Sequence, residues 1–507
     1  MKVKRFVFPS LFVCIVSALI LQGFINPAST KLIPGSASYD GIDAYVEQQM
    51  QHLNIPGVSL AIVEGDKIMH LRGFGQARSD GAAPSPQTSF FIGSLTKSLT
   101  ALAVMQLVEA GKIELDAPVQ RYLPWFQVVD PQASAQMTVR HLLNQTSGLP
   151  TSAGEIQMAD FDDSPGATER QARALSTLEL SHPVNSAFEY SNANYNLLGP
   201  VIEATSGELY ADYIQKHIFT PLNMNHSYAS QTIAKQNDMA VGHQYWFAAP
   251  FVAPNIPVPH GSLPSGQLVS SAEDMAHYMI ALLNKGRYGD VQILSPAGMD
   301  ELYHGVAEDV QMGISFGKYG MGWFVDESAR TKLIWHSGTT PNFGAFMALL
   351  PEQKKGVVLL LNANHHWFTP VLSDFGGGVA TLLAGEQPEP IAFVGLIPWM
   401  LRAQLLIPLF QIVGVVATLR LLRRWRQYPD RRPSGGRKWG LYILLPLLFN
   451  LLVALTLIPM LGQTRGYLML YMPDYARIAL ICGSFAGIWA FLRTSLVLRT
   501  LESPWHS

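Results

Sequence analysis

A chain of 507 residues exceeds the usual single domain and implies at least two folding units. Its net charge of -2 hides an asymmetry: residues 32–390 carry 18 Lys+Arg against 34 Asp+Glu, and the remainder carries 17 basic and 3 acidic residues. The acidic body argues against nucleic acid as a partner, and with both cysteines (Cys14, Cys482) in apolar terminal segments it has no thiol chemistry, thiolate metal site or disulfide.

In chain order, Met1-Lys2-Val3-Lys4-Arg5 precedes a mainly apolar run from Phe6 to Ile25, an export signal or N-terminal anchor within residues 1–31. Ala37, after Gly35-Ser36, is a candidate cleavage position. Asp43 to Leu53 reads as a helix, and Val58–Val63 and Met69–Phe74 as strands joined by the Glu64–Lys67 turn. Phe90-Phe91-Ile92-Gly93 then leads into Ser94-Leu95-Thr96-Lys97 and an apolar helix that Gly111 stops. Thr138–Asn144 and Asn194–Ala204 read as helices, with loop and helix lining a cleft between residues 150 and 190. Residues 240–268, rich in Pro, Gly and aromatic residues, suggest a long ordered loop over a site. Ser271–Leu283 is a helix, Leu333–His336 a short strand, Phe343–Leu350 and Gly356–Leu361 two more strands, and Pro370–Leu383 a final helix. Strand hairpins near both ends with helices between predict an α/β body: an antiparallel sheet flanked by helices, plus a mostly helical subdomain.

After Pro388, three apolar segments, Ile391–Leu419, Trp439–Leu461 and Tyr475–Leu498, are each long enough to cross a bilayer. The first crossing narrows to Ala403–Leu419 if Arg402 marks the interface. The loop 420–438 holds seven Arg and one Lys against Asp430 alone, so the positive-inside tendency places it in the cytoplasm and the body, residues 38–386, outside. The transmembrane domain is then 391–498, in a multi-pass plasma membrane protein.

Chemistry concentrates at three places. Ser94 opens a helix with Lys97 one turn on and on the same face, an arrangement suited to an activated nucleophile, although a serine there is also an ordinary cap. Tyr190 and Asn192 stand two residues apart before a helix. A phenol near the Lys97 ammonium is expected to have its pKa lowered and to move a proton to or from Ser94, and Asn192 to hold Lys97 and a substrate carbonyl. His336-Ser337-Gly338-Thr339 lies on a strand, and the backbone N–H groups of Ser94 and Thr339 together would form an oxyanion hole. His365-His366 lacks metal-ligand spacing and reads as a loop pair; Asp374-Phe375-Gly376 falls within the last helix without a mechanism.

Ser94-Leu-Thr-Lys97, Tyr190-Ser-Asn192 and His336-Ser-Gly338, in this order, resemble the three motifs of the serine beta-lactamase and penicillin-binding superfamily, specifically its class C-like branch. Gly111–Asp116, His141–Leu149 and Tyr190–Gly199 resemble it as well, over about residues 40 to 385. The resemblance implies Ser94 as acylated nucleophile, Lys97 with Tyr190 as general-base pair, Asn192 as positioner and 336–339 as substrate-binding strand. It calls for no cofactor and no metal. The third motif often begins with Lys; His336 is mostly uncharged at neutral pH, which disfavours a penicillin-like carboxylate. With its membrane tail the chain also resembles the periplasmic D-peptidases that remove an N-acyl-D-amino-acid leader, as in colibactin maturation, and Asn342 in Thr340-Pro-Asn-Phe343 then becomes a specificity residue. The expectation is a membrane-tethered serine hydrolase acting on a small peptide or acyl-peptide. Alternatives are a D,D-carboxypeptidase or beta-lactamase, an esterase, and a non-turnover sensor on the same fold. Oligomeric state is left open.

Overall fold

The computed structural model describes residues 38–78, 80–164, 166–311, 314–327, 331–391, 395–433 and 435–502. The N-terminal apolar run and the Ala37 cleavage position lie outside the described residues. Helix α1, Tyr39–Leu53, begins earlier than its apolar pattern because the Ser38 hydroxyl accepts the Gly41 N–H, and it ends on Asn54 at φ 52°.

Eight antiparallel strands form the main sheet: β1 Gly57–Glu64, β2 Lys67–Gly75, β3 Ala307–Gln311, β4 Ile314–Tyr319, β5 Phe324–Asp326, β6 Leu333–Thr340, β7 Phe343–Leu350 and β8 Lys355–Leu361. Their order across the sheet is β2-β1-β8-β7-β6-β5-β4-β3. First and last parts of the body thus meet within one sheet, where Leu60 pairs with Leu359 and Ile62 with Val357. β6 pairs with β7 over Ile334–Thr340, but with β5 only over Leu333–Trp335.

Alternation along the strands divides the sheet between two helical layers. On one face Ala61, Val63, Met347, Leu349, Val358 and Leu360 join a core with α2 (Thr96–Glu109), α3 (Asn192–Ser206) and α4 (Ala272–Leu283). α2 is buried almost all round, which is why its sequence is apolar on every side. The other face receives α5, Thr369–Leu383. Here the Asp374-Phe375-Gly376 triplet has a packing explanation: a Cβ at Gly376 would overlap the Phe346 ring, and one at Gly378 the Tyr45 phenol, whereas Gly377 faces open space. Gly377→Ala should therefore stabilise the helix by about 0.5–1 kcal/mol. Gly376→Ala should destabilise by about 1–3 kcal/mol through overpacking, an opposite sign at the next residue that thermal melts will read.

Residues 240–268 are more regular than a loop. They form short strands at His243–Trp246 and Ala249–Val252 and helical turns at His260–Ser262 and Leu263–Gly266.

The described residues fall into two compact units, the body through Gly395 and a helical unit from Leu396 that also takes in Trp246–Ala248. The helical unit holds three helices long and apolar enough to cross a membrane, Leu396–Gln427, Gly440–Leu461 and Pro473–Glu502. Arg493 ties all three together: Nε donates to Thr418 Oγ1 at 3.2 Å and Nη1 to the Tyr442 carbonyl at 2.7 Å.

Candidate active site

Ser94 sits on a single 3-10 turn, Gly93–Leu95, that feeds directly into α2. Two glycines allow the turn to press on the sheet. A Cβ at Gly93 would overlap the Thr339 backbone N, and one at Gly338 would overlap the Ile92 carbonyl. Gly93 also holds φ 53°, a conformation open mainly to glycine. The crossing brings the backbone of Ser94 alongside that of Gly338 and Thr339. A short ladder between Ser89–Phe91 and Val269–Ser271 fixes the approach to this turn.

Lys97 is fully buried, and its Nζ has three oxygen neighbours: Ser94 Oγ at 2.9 Å, Asn192 Oδ1 at 2.7 Å and the Ser265 carbonyl at 2.7 Å. Burial lowers its pKa well below the ordinary lysine value. The neighbours make the consequence specific. Two are carbonyl oxygens, which only accept; a neutral amine satisfies both with its two N–H bonds and turns its lone pair to the Ser94 hydroxyl. A charged Lys97 would instead donate to Ser94. Loss of one proton therefore reverses the Ser94–Lys97 hydrogen bond and makes Lys97 a base.

Tyr190 departs from expectation. Lys97 Nζ lies 4.9 Å from the centroid of its ring, and Tyr195 receives the amine on its own ring at 5.7 Å. Burial pushes the Tyr190 pKa up, with only partial offset from the Ser94 hydroxyl beside it. The lowering expected from Lys97 is not seen, because burial dominates. Asn192 is the first residue of α3, with Oδ1 on Lys97 and Nδ2 2.8 Å from Met158 Sδ. A thioether is a weak acceptor, so that amide N–H remains a ready donor for a carbonyl.

On β6, burial alternates residue by residue. His336, Gly338 and Thr340 turn toward the Ser94 layer, whereas Ser337 and Thr339 carry side chains on the opposite face. Ser337 and Thr339 offer this site their backbone groups. His336 is buried, with its pKa lowered to about 3, chiefly by desolvation. Asn342 Nδ2 packs against Gly242, and its Oδ1 lies 3.4 Å from Thr340 Oγ1.

The pattern of residue types did not point to Ser265, Met158 or Tyr319. Ser265 contributes a backbone carbonyl, for which no residue type is a signal. Gly322, at φ 83°, lets the turn before β5 press against the Lys97 backbone.

The family described as Beta-lactamase matches residues 42–374, the stretch that carries all of these groups. The chain belongs to the beta-lactamase family. Among its relatives is Protein flp of Staphylococcus aureus strain MW2, 31% identical over 341 residues that cover 65% of this chain and 64% of that protein. Unguisins hydrolase ungD' of Aspergillus campestris is 26% identical over 333 residues, 63% of this chain and 61% of that protein. This chain thus spans less than two thirds of the length of these relatives. The octameric penicillin-binding protein homologue from Pyrococcus abyssi superposes with TM-score 0.59 at 27% identity, over 70% of this chain and 79% of that one. SurE shares the fold, at TM-score 0.56 and 24% identity over 68% and 75%.

One further cluster contains metal-ligand types. His226, Glu273 and Asp274 bring ligand atoms within 4.8 Å of one another. Asp274 Oδ2 already accepts from the His226 N–H and Ser227 Oγ, both at 2.7 Å, and Glu273 accepts from Gln87 at 2.8 Å. These bonds fasten the first turn of α4.

Proposed function

We propose that this beta-lactamase family member is a membrane-tethered hydrolase that cleaves an amide or ester through an acyl-enzyme on Ser94. The observation that carries the reading is Lys97: a buried amine with two carbonyl acceptors and the Ser94 hydroxyl around it. In this reading the Ser94 proton passes to Lys97 as Oγ bonds to the substrate carbonyl carbon. The oxyanion is held by the N–H groups of Ser94 and Thr339, and Asn192 Nδ2 holds a second substrate carbonyl. Tyr190, as a neutral phenol, delivers the proton the leaving nitrogen or oxygen needs and recovers it through Lys97. A water activated by the same pair then releases the acid.

The substrate is a peptide containing D-amino acids, of the N-acyl-D-amino-acid type, and the body works outside the membrane with loop 420–438 in the cytoplasm. His336 supports the first part. A neutral, buried ring is a poor seat for a substrate carboxylate, so a D,D-carboxypeptidase or beta-lactamase activity fits less well than cleavage of an internal bond. Asn342 Oδ1 accepts from Thr340 Oγ1 at 3.4 Å, and in this reading its Nδ2 is the group that meets a substrate side chain.

Purified full-length protein offered N-acyl-D-Asn peptides, D-Ala-D-Ala peptides, a cephalosporin and short esters should turn over the first class fastest. Preference for the free-carboxylate substrates would overturn the assignment. His336→Lys should raise kcat/KM for carboxylate-bearing substrates about tenfold, close to 1.4 kcal/mol, with no gain on the amidated forms.

A further inference from the structure

We infer that Tyr319, a residue outside the three motifs, is a positioning residue that donates to His336 Nε2 and, with the Ser337 carbonyl on Nδ1, holds the ring in one neutral form. This rests on the proposed site but uses a readout independent of turnover.

Three observations carry it. His336 Nδ1 lies 2.6 Å from the Ser337 carbonyl, and a carbonyl can only accept, so the proton sits on Nδ1. In a neutral ring Nε2 is then a bare acceptor. The Tyr319 hydroxyl, at the end of β4, faces it at 3.3 Å from a fully buried position. Tyr195 beside it already gives its own proton to the Leu143 carbonyl at 2.8 Å, so it cannot be the donor. The Tyr319 proton is left for His336 or for the Tyr195 oxygen.

Packing leaves the imidazole little freedom. Tyr319 meets it edge-on with centroids 5.9 Å apart, Phe324 lies at 5.3 Å and Tyr190 at 6.1 Å. The titratable groups facing the ring are Lys97 from α2, Tyr190 from the segment before α3 and Tyr319 from β4; the facing contact from β5 is Phe324. No carboxylate lies among these contacts. Tyr319 also meets the Tyr190 ring edge-on at 6.1 Å, so a single side chain steadies both. With Nδ1–H on the Ser337 carbonyl and the Tyr319 proton turned to Nε2, both ring nitrogens are committed and His336 presents the substrate with a fixed neutral surface.

The test is nitrogen NMR of the full-length chain labelled at histidine ring nitrogens, with the His336 signals assigned by their loss in His336→Asn. The wild type should show the Nδ1–H form alone, unchanged between pH 5 and pH 8, because burial lowers the pKa of the ring. Tyr319→Phe should give a mixture of ring forms or a titration within that range, and about a tenfold loss of kcat/KM. Phe324→Leu, which disturbs packing but leaves the hydroxyl, should keep the wild-type ring signals. An Nε2–H form in the wild type, or a Tyr319→Phe spectrum identical to wild type, would overturn the inference. If Tyr319→Phe fails to fold, the wild-type Nε2 signal decides: the upfield shift of a hydrogen-bonded imine nitrogen supports the inference, and the shift of a bare one overturns it. If Ser94→Ala retains activity while the ring signals behave as expected, the proposed nucleophile fails and the role of Tyr319 stands.

Discussion

Replacing Ser94 by alanine is expected to remove covalent labelling by a fluorophosphonate or penicillin probe and to lower turnover by about 10⁴-fold or more. The domain should still fold. Ser94 Oγ is not a structural strut: it meets Lys97 and the Tyr190 hydroxyl, both groups of the site itself, and the turn it stands on is held by glycines and backbone contacts. Circular dichroism and the melting temperature should therefore stay near wild type. Labelling that persisted in this variant, read as a fluorescent band on a gel, would place the nucleophile elsewhere and sink the proposed mechanism.

The second large effect concerns Lys97. Lys97→Met keeps the volume and removes the base, and acylation should slow by about 10²–10⁴-fold, the usual worth of a positioned general base. The pH dependence follows from the lowered pKa. Burial holds the folded-state value well below 10.5, so between that lowered value and 10.5 the unfolded chain binds the extra proton. Stability contributed by this group therefore rises with pH across that window, by about 1.4 kcal/mol for each pH unit crossed, and falls again as pH drops toward the lowered value. Acylation by the wild type should climb with the same proton loss and level off well below pH 10.5. In Lys97→Met the stability rise should vanish. A wild-type acylation profile that still climbs near pH 10 would mean that Lys97 is an ordinary ammonium.

Much of the site is legible in the amino-acid sequence, for a definite reason. Ser94, Lys97, Tyr190, Asn192 and His336 are singled out by side-chain chemistry, and their types at their spacings announce the beta-lactamase family. The alternating strands and the all-round apolar α2 likewise carry their period in residue type. Other features have no such mark. The Ser265 carbonyl that orients Lys97 could belong to any residue. Tyr319 is one tyrosine among 18 until β4 sets it against His336. Whether the Tyr190 pKa rises or falls depends on how deeply the pair is buried, and a set of neighbours says nothing of depth. Residues 240–268 read as a loop because their Pro and Gly content obscures short strands that pair with other segments, as His243 does with Ala363.

The uneven pairing of β6 bears on handedness. From His336 to Thr340 this strand has β7 on one side and no paired stretch of β5 on the other. An extended peptide lying along that unpaired side would be held by its main chain and would send successive side chains to alternate faces. Inverting one α-carbon exchanges the places of its hydrogen and its side chain. A D-residue beside the bond to be cut would then face the wall that an L-residue turns away from. Mirror-image substrates could thus be told apart by available room alone, with no charged group needed to make the choice.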